Sequence, residues 1–303
     1  MNEAGGTAYC GDMKCRIHAV VSPRFPMLAL AFAFALVLAG TARGARETVD
    51  GIAWVYEVEG EKAVLSACAV PRMTEGRVEV PAMLGGVQVA GVGDYAFHDC
   101  PRITEVVLPA GVESIGEHAF QDCTALVRVE LPESLVHIGY YAFTGCSSLE
   151  SVSLPRRLRS IGNYVFYGCT ALRDIEWPPV LEKVGTSAFS HCAGLKKLRL
   201  PPRVVRVDDF AFSACAKLRD VKMKGVLKSI GRNAFSDCRK LETVDLPASL
   251  REIGQDAFAR TGLQRLVLRG GVTFPIPPGA VPRKCEWVDG EGNVLPPYGG
   301  DAP

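Results

Sequence analysis

The sequence predicts a solenoid, one short unit stacked on copies of itself, and three regularities predict it. Phenylalanine recurs every 23 residues as Phe97, Phe120, Phe143, Phe166, Phe189, Phe212, Phe235 and Phe258. Three residues after each of the first seven stands a cysteine: Cys100, Cys123, Cys146, Cys169, Cys192, Cys215 and Cys238. A fixed slot is aliphatic in every coil: Val92, Ile115, Ile138, Ile161, Val184, Val207, Ile230 and Ile253. A fixed period of roughly 20–50 residues marks units that bury a continuous core only by stacking.

Residues 1–44 read as a secretory signal peptide. The run Met27–Gly40 is apolar and follows Lys14, Arg16 and Arg24. It is shorter than the roughly 20 residues a membrane-spanning helix needs. A basic stretch, a short apolar stretch and then small residues are the marks of an export signal. Ala42 and Gly44 place cleavage after Gly44, with Met1, Met13 and Met27 all open as the start. Leu38-Ala39-Gly40 leads into Thr41 and not into a cysteine, so no lipid anchor is expected.

Residues 45–77 are expected to form an N-terminal cap, with two strand-like runs forming a hairpin around Gly60. The solenoid, about eight coils, is assigned to 78–268, starting with a degenerate coil that carries Gly85 and Gly86. One coil, 126–148, shows the plan. Leu126, Val129 and Leu131 alternate with Arg128 and Glu130 as in a strand with one covered face. Pro132 cannot donate to a ladder and ends the strand. Leu135 and Ile138 turn inward on a second extended piece, and Gly139 permits a close turn. Tyr140 to Phe143 are expected to make a helical or 3₁₀ turn that points Ala142 and Phe143 inward, and Cys146 closes the coil. Residues 269–303, with seven of the 20 prolines, are expected to form a cap and a loose tail. Cys285 to Leu295 would make a hairpin over Gly290.

Composition excludes several functions. The 303 residues carry 34 basic and 33 acidic side chains, and removal of residues 1–44 leaves 30 and 31. Basic residues form no tract, so neither nucleic acid nor an anionic membrane is expected as partner. The chain has no HExxH, GxSxG, GxGxxG, P-loop or CxxC, and its five histidines share no column of the repeat. No catalytic residue, metal or cofactor is expected. Eleven cysteines in an exported chain would ordinarily suggest disulfides. Seven of them occupy one column with parallel Cβ vectors, which converge poorly. They are expected to be free and to act as small buried apolar groups.

The unit LPxxLxxIGxxAFxxCxxLxxVxL, matched nearly throughout by residues 131–154, resembles the leucine-rich repeat of BspA-like type over about 78–268. The resemblance implies an α/β leucine-rich-repeat solenoid, a right-handed horseshoe. A parallel β-sheet would line one face, with short strands and 3₁₀ turns on the other. It also implies export and, for some members, adhesion. The pattern is departed from at Trp177, at Asp208 in a glycine slot and at Lys224 in a proline slot.

Function is expected on the sheet face, where outward residues vary while the frame repeats. The candidate ligand-binding residues are Arg128, Glu130, Asp174, Glu176, Lys197, Arg199, Asp220 and Lys222, against the plain alternative of a solvated face. An aromatic column of Tyr95, Tyr141, Tyr164 and Phe210, joined by Tyr140 and Tyr167, is a second candidate, against simple packing between coils. The expected partner is a protein or glycan on a host or neighbouring cell. The alternative is a structural role in the producer's own envelope. No membrane span is expected in the mature chain.

Overall fold

The computed structural model describes residues 41–270 and 274–295. The apolar run Met27–Gly40, Cys10, Cys15 and the last eight residues lie outside them. The chain begins with β1 (Thr41–Val49), β2 (Ile52–Glu59) and β3 (Lys62–Leu65), paired antiparallel in that order. β4 (Gly76–Glu79) follows, then β5 (Met83–Leu84) and β6 (Val87–Val92). From here each coil contributes a longer strand and a two-residue strand. These are β7 (Ile103–Val107), β8 (Ser114–Ile115), β9 (Arg128–Glu130), β10 (His137–Ile138), β11 (Ser151–Ser153) and β12 (Ser160–Ile161). They continue with β13 (Asp174–Glu176), β14 (Lys183–Val184), β15 (Lys197–Leu200), β16 (Arg206–Val207), β17 (Asp220–Met223) and β18 (Ser229–Ile230). Last come β19 (Thr243–Leu246), β20 (Glu252–Ile253), β21 (Arg265–Leu268) and β22 (Glu286–Val288).

The longer strands from β4 to β22 stack in parallel as about ten rungs, in three sheets: β4-β7-β9, β11-β13 and β15-β17-β19-β21-β22. The two-residue strands stack on the opposite face, where β6-β8-β10 leads into β12-β14-β16-β18-β20. Register is 23 residues throughout the regular coils, as in Lys197 opposite Asp220 and Val184 opposite Val207. This close stacking explains the glycine slot. A Cβ on Gly139 would stand 2.6 Å from Glu117 N and from the carbonyl carbon of Gly116. Successive coils touch there through backbone.

The turn after that glycine corrects the expected fold class. No helical residue of either kind occurs among the described residues, so the solenoid is a β-solenoid and not α/β. Two residues per coil are left-handed, for example Tyr141 at φ 59° and Gly145 at φ 74°, which no helical turn tolerates. The turn amides bond to the neighbouring coil instead: Tyr141 N to Asn163 O, Phe143 N to Val165 O and Gly145 N to Tyr167 O, at 2.8–3.2 Å. A left-handed non-glycine residue costs about 1–2 kcal/mol, and this corner ladder offsets it. The horseshoe is not supported either. Such curvature needs a convex layer wider than strand spacing, and both faces here are strand ladders about 4.8 Å per rung.

Eight phenylalanine rings stack along the axis with centroids 4.8–5.4 Å apart, all fully buried. Trp54 closes one end, edge-on to Phe97 at 6.3 Å. At the other, Phe258 N donates to Ala280 O at 2.8 Å. The column cysteines are free and buried. They are also hydrogen-bond donors, which apolar packing alone does not describe. Cys123 Sγ reaches Phe97 O at 3.0 Å, Cys146 reaches Phe120 O at 3.1 Å, and Cys169 to Cys238 reach the preceding phenylalanine carbonyls at 3.2–3.3 Å. Among the described residues no helix is long and apolar enough to cross a membrane.

Candidate binding face

Strand alternation turns one side chain inward and the next outward. Val129, Val152, Leu198 and Val221 are buried, and the residues flanking each face outward. The face carries all eight sequence-predicted residues: Arg128 and Glu130 on β9, Asp174 and Glu176 on β13, Lys197 and Arg199 on β15, Asp220 and Lys222 on β17. Several already hold one another. Arg128 Nη2 donates to Glu130 Oε1 at 3.1 Å, Arg199 pairs with Asp220, and Ser153 Oγ donates to Glu176 Oε2 at 2.7 Å. Asp174, Lys197 and Lys222 make no ion pair among the described residues. Exposed pairs of this kind contribute about 0–1 kcal/mol, so the face is free to exchange them for a partner.

The face is interrupted twice, and the sequence reading did not foresee it. Between β9 and β11 the ladder starts, with Glu150 N on Val127 O at 3.2 Å, and then opens. A cavity of about 430 Å³ lies there, lined by Arg128, Glu130, Leu131, Glu150, Ser151 and Ser153.

The second break separates β13 from β15. Neighbouring rungs are tied by Arg173 N to Glu150 O (2.8 Å) and by Arg219 N to Lys196 O (3.0 Å). Lys196 N has no such bond to Arg173 O among the described residues. We attribute this break to Trp177. It stands where other coils have Leu108, Leu131, Leu154, Leu200 or Met223, and its ring lies edge-on to Phe189 at 5.3 Å. The stacked rings record the same wedge: Phe166 and Phe189 are tilted by 16°, against 2–10° elsewhere in the column. Replacing Trp177 by Leu is expected to close the ladder and slow amide exchange in the peptide 193–200 by about tenfold or more. Unchanged exchange there would show that Trp177 is not the wedge.

The wedge also marks an electrical boundary. Residues 46–192 carry 11 basic and 19 acidic side chains, net −8, whereas 193–240 carry 13 basic and four acidic, net +9. A search for continuous tracts misses this, because each coil contributes two or three charges separated by core residues. Counting charge by coil finds it.

Part of the aromatic column is a stack, and the exposed Phe210 and Tyr140 lie outside it. Tyr95, His118, Tyr141 and Tyr164 lie parallel within 7°, with centroids 4.6–4.8 Å apart. The rings cover one another's faces, which is the geometry of packing between coils. His118 completes the row, in a place that a column of tyrosine and phenylalanine alone leaves blank. Among the described residues no group of three or more His, Cys, Asp or Glu could hold a metal ion. Thiol chemistry is disfavoured too: burial pushes Cys100 up to about 11 and Cys123 up to about 12, far from a reactive thiolate.

The sequence matches a family model described as a BspA type leucine rich repeat region, in six copies, over residues 90–219 and 172–274. Among solved structures the chain is similar to a T. pallidum leucine rich repeat protein, TpLRR. The two are 30% identical over 65% of this chain and 87% of that one, with a TM-score of 0.55. A leucine-rich repeat protein from Bacteroides ovatus is 19% identical over 82% of this chain and 78% of that one, with a TM-score of 0.46. The pneumococcal vaccine antigen PcpA is 15% identical over 82% of this chain and 94% of that one, with a TM-score of 0.45. A comparison with curated proteins finds no match.

Proposed function

The chain belongs to the BspA-type leucine-rich-repeat family, and on that premise we propose that it is an exported, non-catalytic binding module acting at or outside the cell surface. The ligand is a protein or glycan of a host or neighbouring cell, and the long-strand face engages it. One observation carries this reading: a frame that repeats to within a residue displays a different outward pair on each rung, from Ser151/Ser153 to Asp174/Glu176 to Lys197/Arg199, and the display is broken at β9/β11 and β13/β15. A frame built only for self-support gains nothing from such variation. Family resemblance supports export and adhesion by association, and the apolar run at Met27–Gly40 supports an export signal.

The test replaces Asp174, Glu176, Lys197 and Arg199 together by alanine. All four are exposed, so the fold should be retained. Capture of immobilised host-matrix components by the wild type is expected to fall about tenfold or more in this variant. Unchanged capture would remove the long-strand face from consideration. Binding confined to extract of the producer's own envelope would favour the structural alternative.

A further inference from the structure

We propose that the basic block on β15, on β17 and on the turn that leads into β19 is a docking site for a linear sulfated polysaccharide. This deepens the binding-module reading and rests on it. The site comprises Lys196, Lys197, Lys217, Arg219, Lys222 and Lys240. All six are exposed, and none makes an ion pair among the described residues. They lie on the long-strand face and on the turns that lead into it. The ladder register fixes their relation. Lys197 stands beside Asp220, whose own partner is Arg199, and Arg199 stands beside Lys222. Lys196 accepts the backbone bond from Arg219, so these two bases are adjacent across rungs. At the 23-residue register Lys217 and Lys240 are adjacent likewise.

Rungs are about 4.8 Å apart and strand residues about 3.3 Å, so the bases cover a strip about 10 Å by 15 Å. The parallel sheet is continuous under the strip, from β15 through β19. That is a fixed array in which the bases outnumber the two acids among them, Asp220 and Glu242, the latter beside Arg219 on the next rung, so like charges repel one another. In most of the other coils the bases are neutralised locally, as in Arg77 with Glu79 and Glu105, Arg159 with Glu182, and Arg173 with Glu150. Here they are not. A partner bearing closely spaced anions relieves the repulsion and releases its counterions on binding.

The chemistry around the strip selects among polyanions. Segments 193–200, 216–224 and 239–246 contain no aromatic residue, so bases of a single-stranded nucleic acid would find nothing to stack on. The strip has no buried aromatic or apolar anchor pocket of the kind that fixes protein partners. It presents no large apolar side chain for insertion into a lipid surface. A flexible chain of sulfated sugars needs none of these, only regular cations along its length.

The experiment measures binding of a labelled heparin octasaccharide to the purified protein as a function of NaCl concentration. The wild type is expected to bind, with log affinity falling linearly against log salt. The variant K197Q/K217Q/K222Q is expected to bind about tenfold more weakly with a shallower slope. The control R156Q/R157Q/K284Q removes the same charge elsewhere on the surface and is expected to stay within about twofold. Absence of heparin binding at about 50 mM salt, or equal losses in both variants, overturns the proposal. So does equal or tighter binding of oligo-dT or of phosphatidylserine vesicles, or a dimer that the lysine changes dissociate. If heparin fails to bind while the four-alanine variant still loses capture, the binding-module reading survives and the sulfated ligand alone falls.

Discussion

Raising the pH towards 10 is expected to unfold this protein, and the cysteine column is the cause. Cys123, Cys146, Cys169, Cys192 and Cys215 are nearly or wholly buried, and that burial is the main reason each thiol is held well above its ordinary value. In the unfolded chain the same thiols titrate near 8.5. Their folded pKa is raised, so the stability they carry is fully present below about pH 8.5 and is lost as the pH climbs towards the folded value. At pH 10 each unfolded thiol gains about 2 kcal/mol by ionising, about 10 kcal/mol for five. That rivals the whole stability of a typical domain, about 5–15 kcal/mol. Circular dichroism against pH checks it. The variant C146A/C192A is expected to be less stable than wild type at pH 7, having lost two buried side chains and two thiol–carbonyl bonds. Above pH 9 its stability should fall less steeply, by about 2.7 kcal/mol per pH unit for the two protons removed. Parallel pH curves for the two proteins would show that the column thiols do not govern alkaline stability.

That column also shows what sequence could and could not reveal. Period and identity place every cysteine inside, because a residue present in each coil belongs to the shared frame. The bond from Cys146 to Phe120 O was hidden, since it joins residues 26 apart in neighbouring coils. Periodicity gives position within a coil and is silent on what two coils exchange. The same limit explains the missing helix. Tyr140 to Phe143 is helix-compatible by composition, but its amides are claimed by the next coil, which a single repeat cannot show. At the site, alternation identified the outward residues of β9, β13, β15 and β17. The openings were not legible as openings. Trp177 was visible as a departure, yet only packing against Phe189 turns a larger side chain into a wedge.

Replacing Phe166 by alanine is expected to cost about 3–5 kcal/mol. Its ring is fully buried and stacks on Phe143 at 5.4 Å and on Phe189 at 5.2 Å. Truncation leaves a cavity in the middle of a continuous column, where both neighbours are held by corner ladders. Phe143 N bonds to Val165 O at 2.9 Å and Phe166 N to Ala188 O at 2.8 Å, so the coils cannot collapse to fill the space. Nearest-neighbour stacking adds a second consequence. In a solenoid, stability is a sum of coil and interface terms, and the interface beyond Phe166 is already opened at β13/β15. The substitution should therefore separate the chain into two blocks that unfold at different urea concentrations, with a lower apparent m-value for each. Phe235 to Ala, inside the continuous sheet β15-β17-β19-β21-β22, is expected to cost a similar energy and keep one transition. A cost below about 1 kcal/mol at Phe166 would mean the ring column is not the core of the stack, and a single sharp transition in both variants would mean the wedge does not divide it.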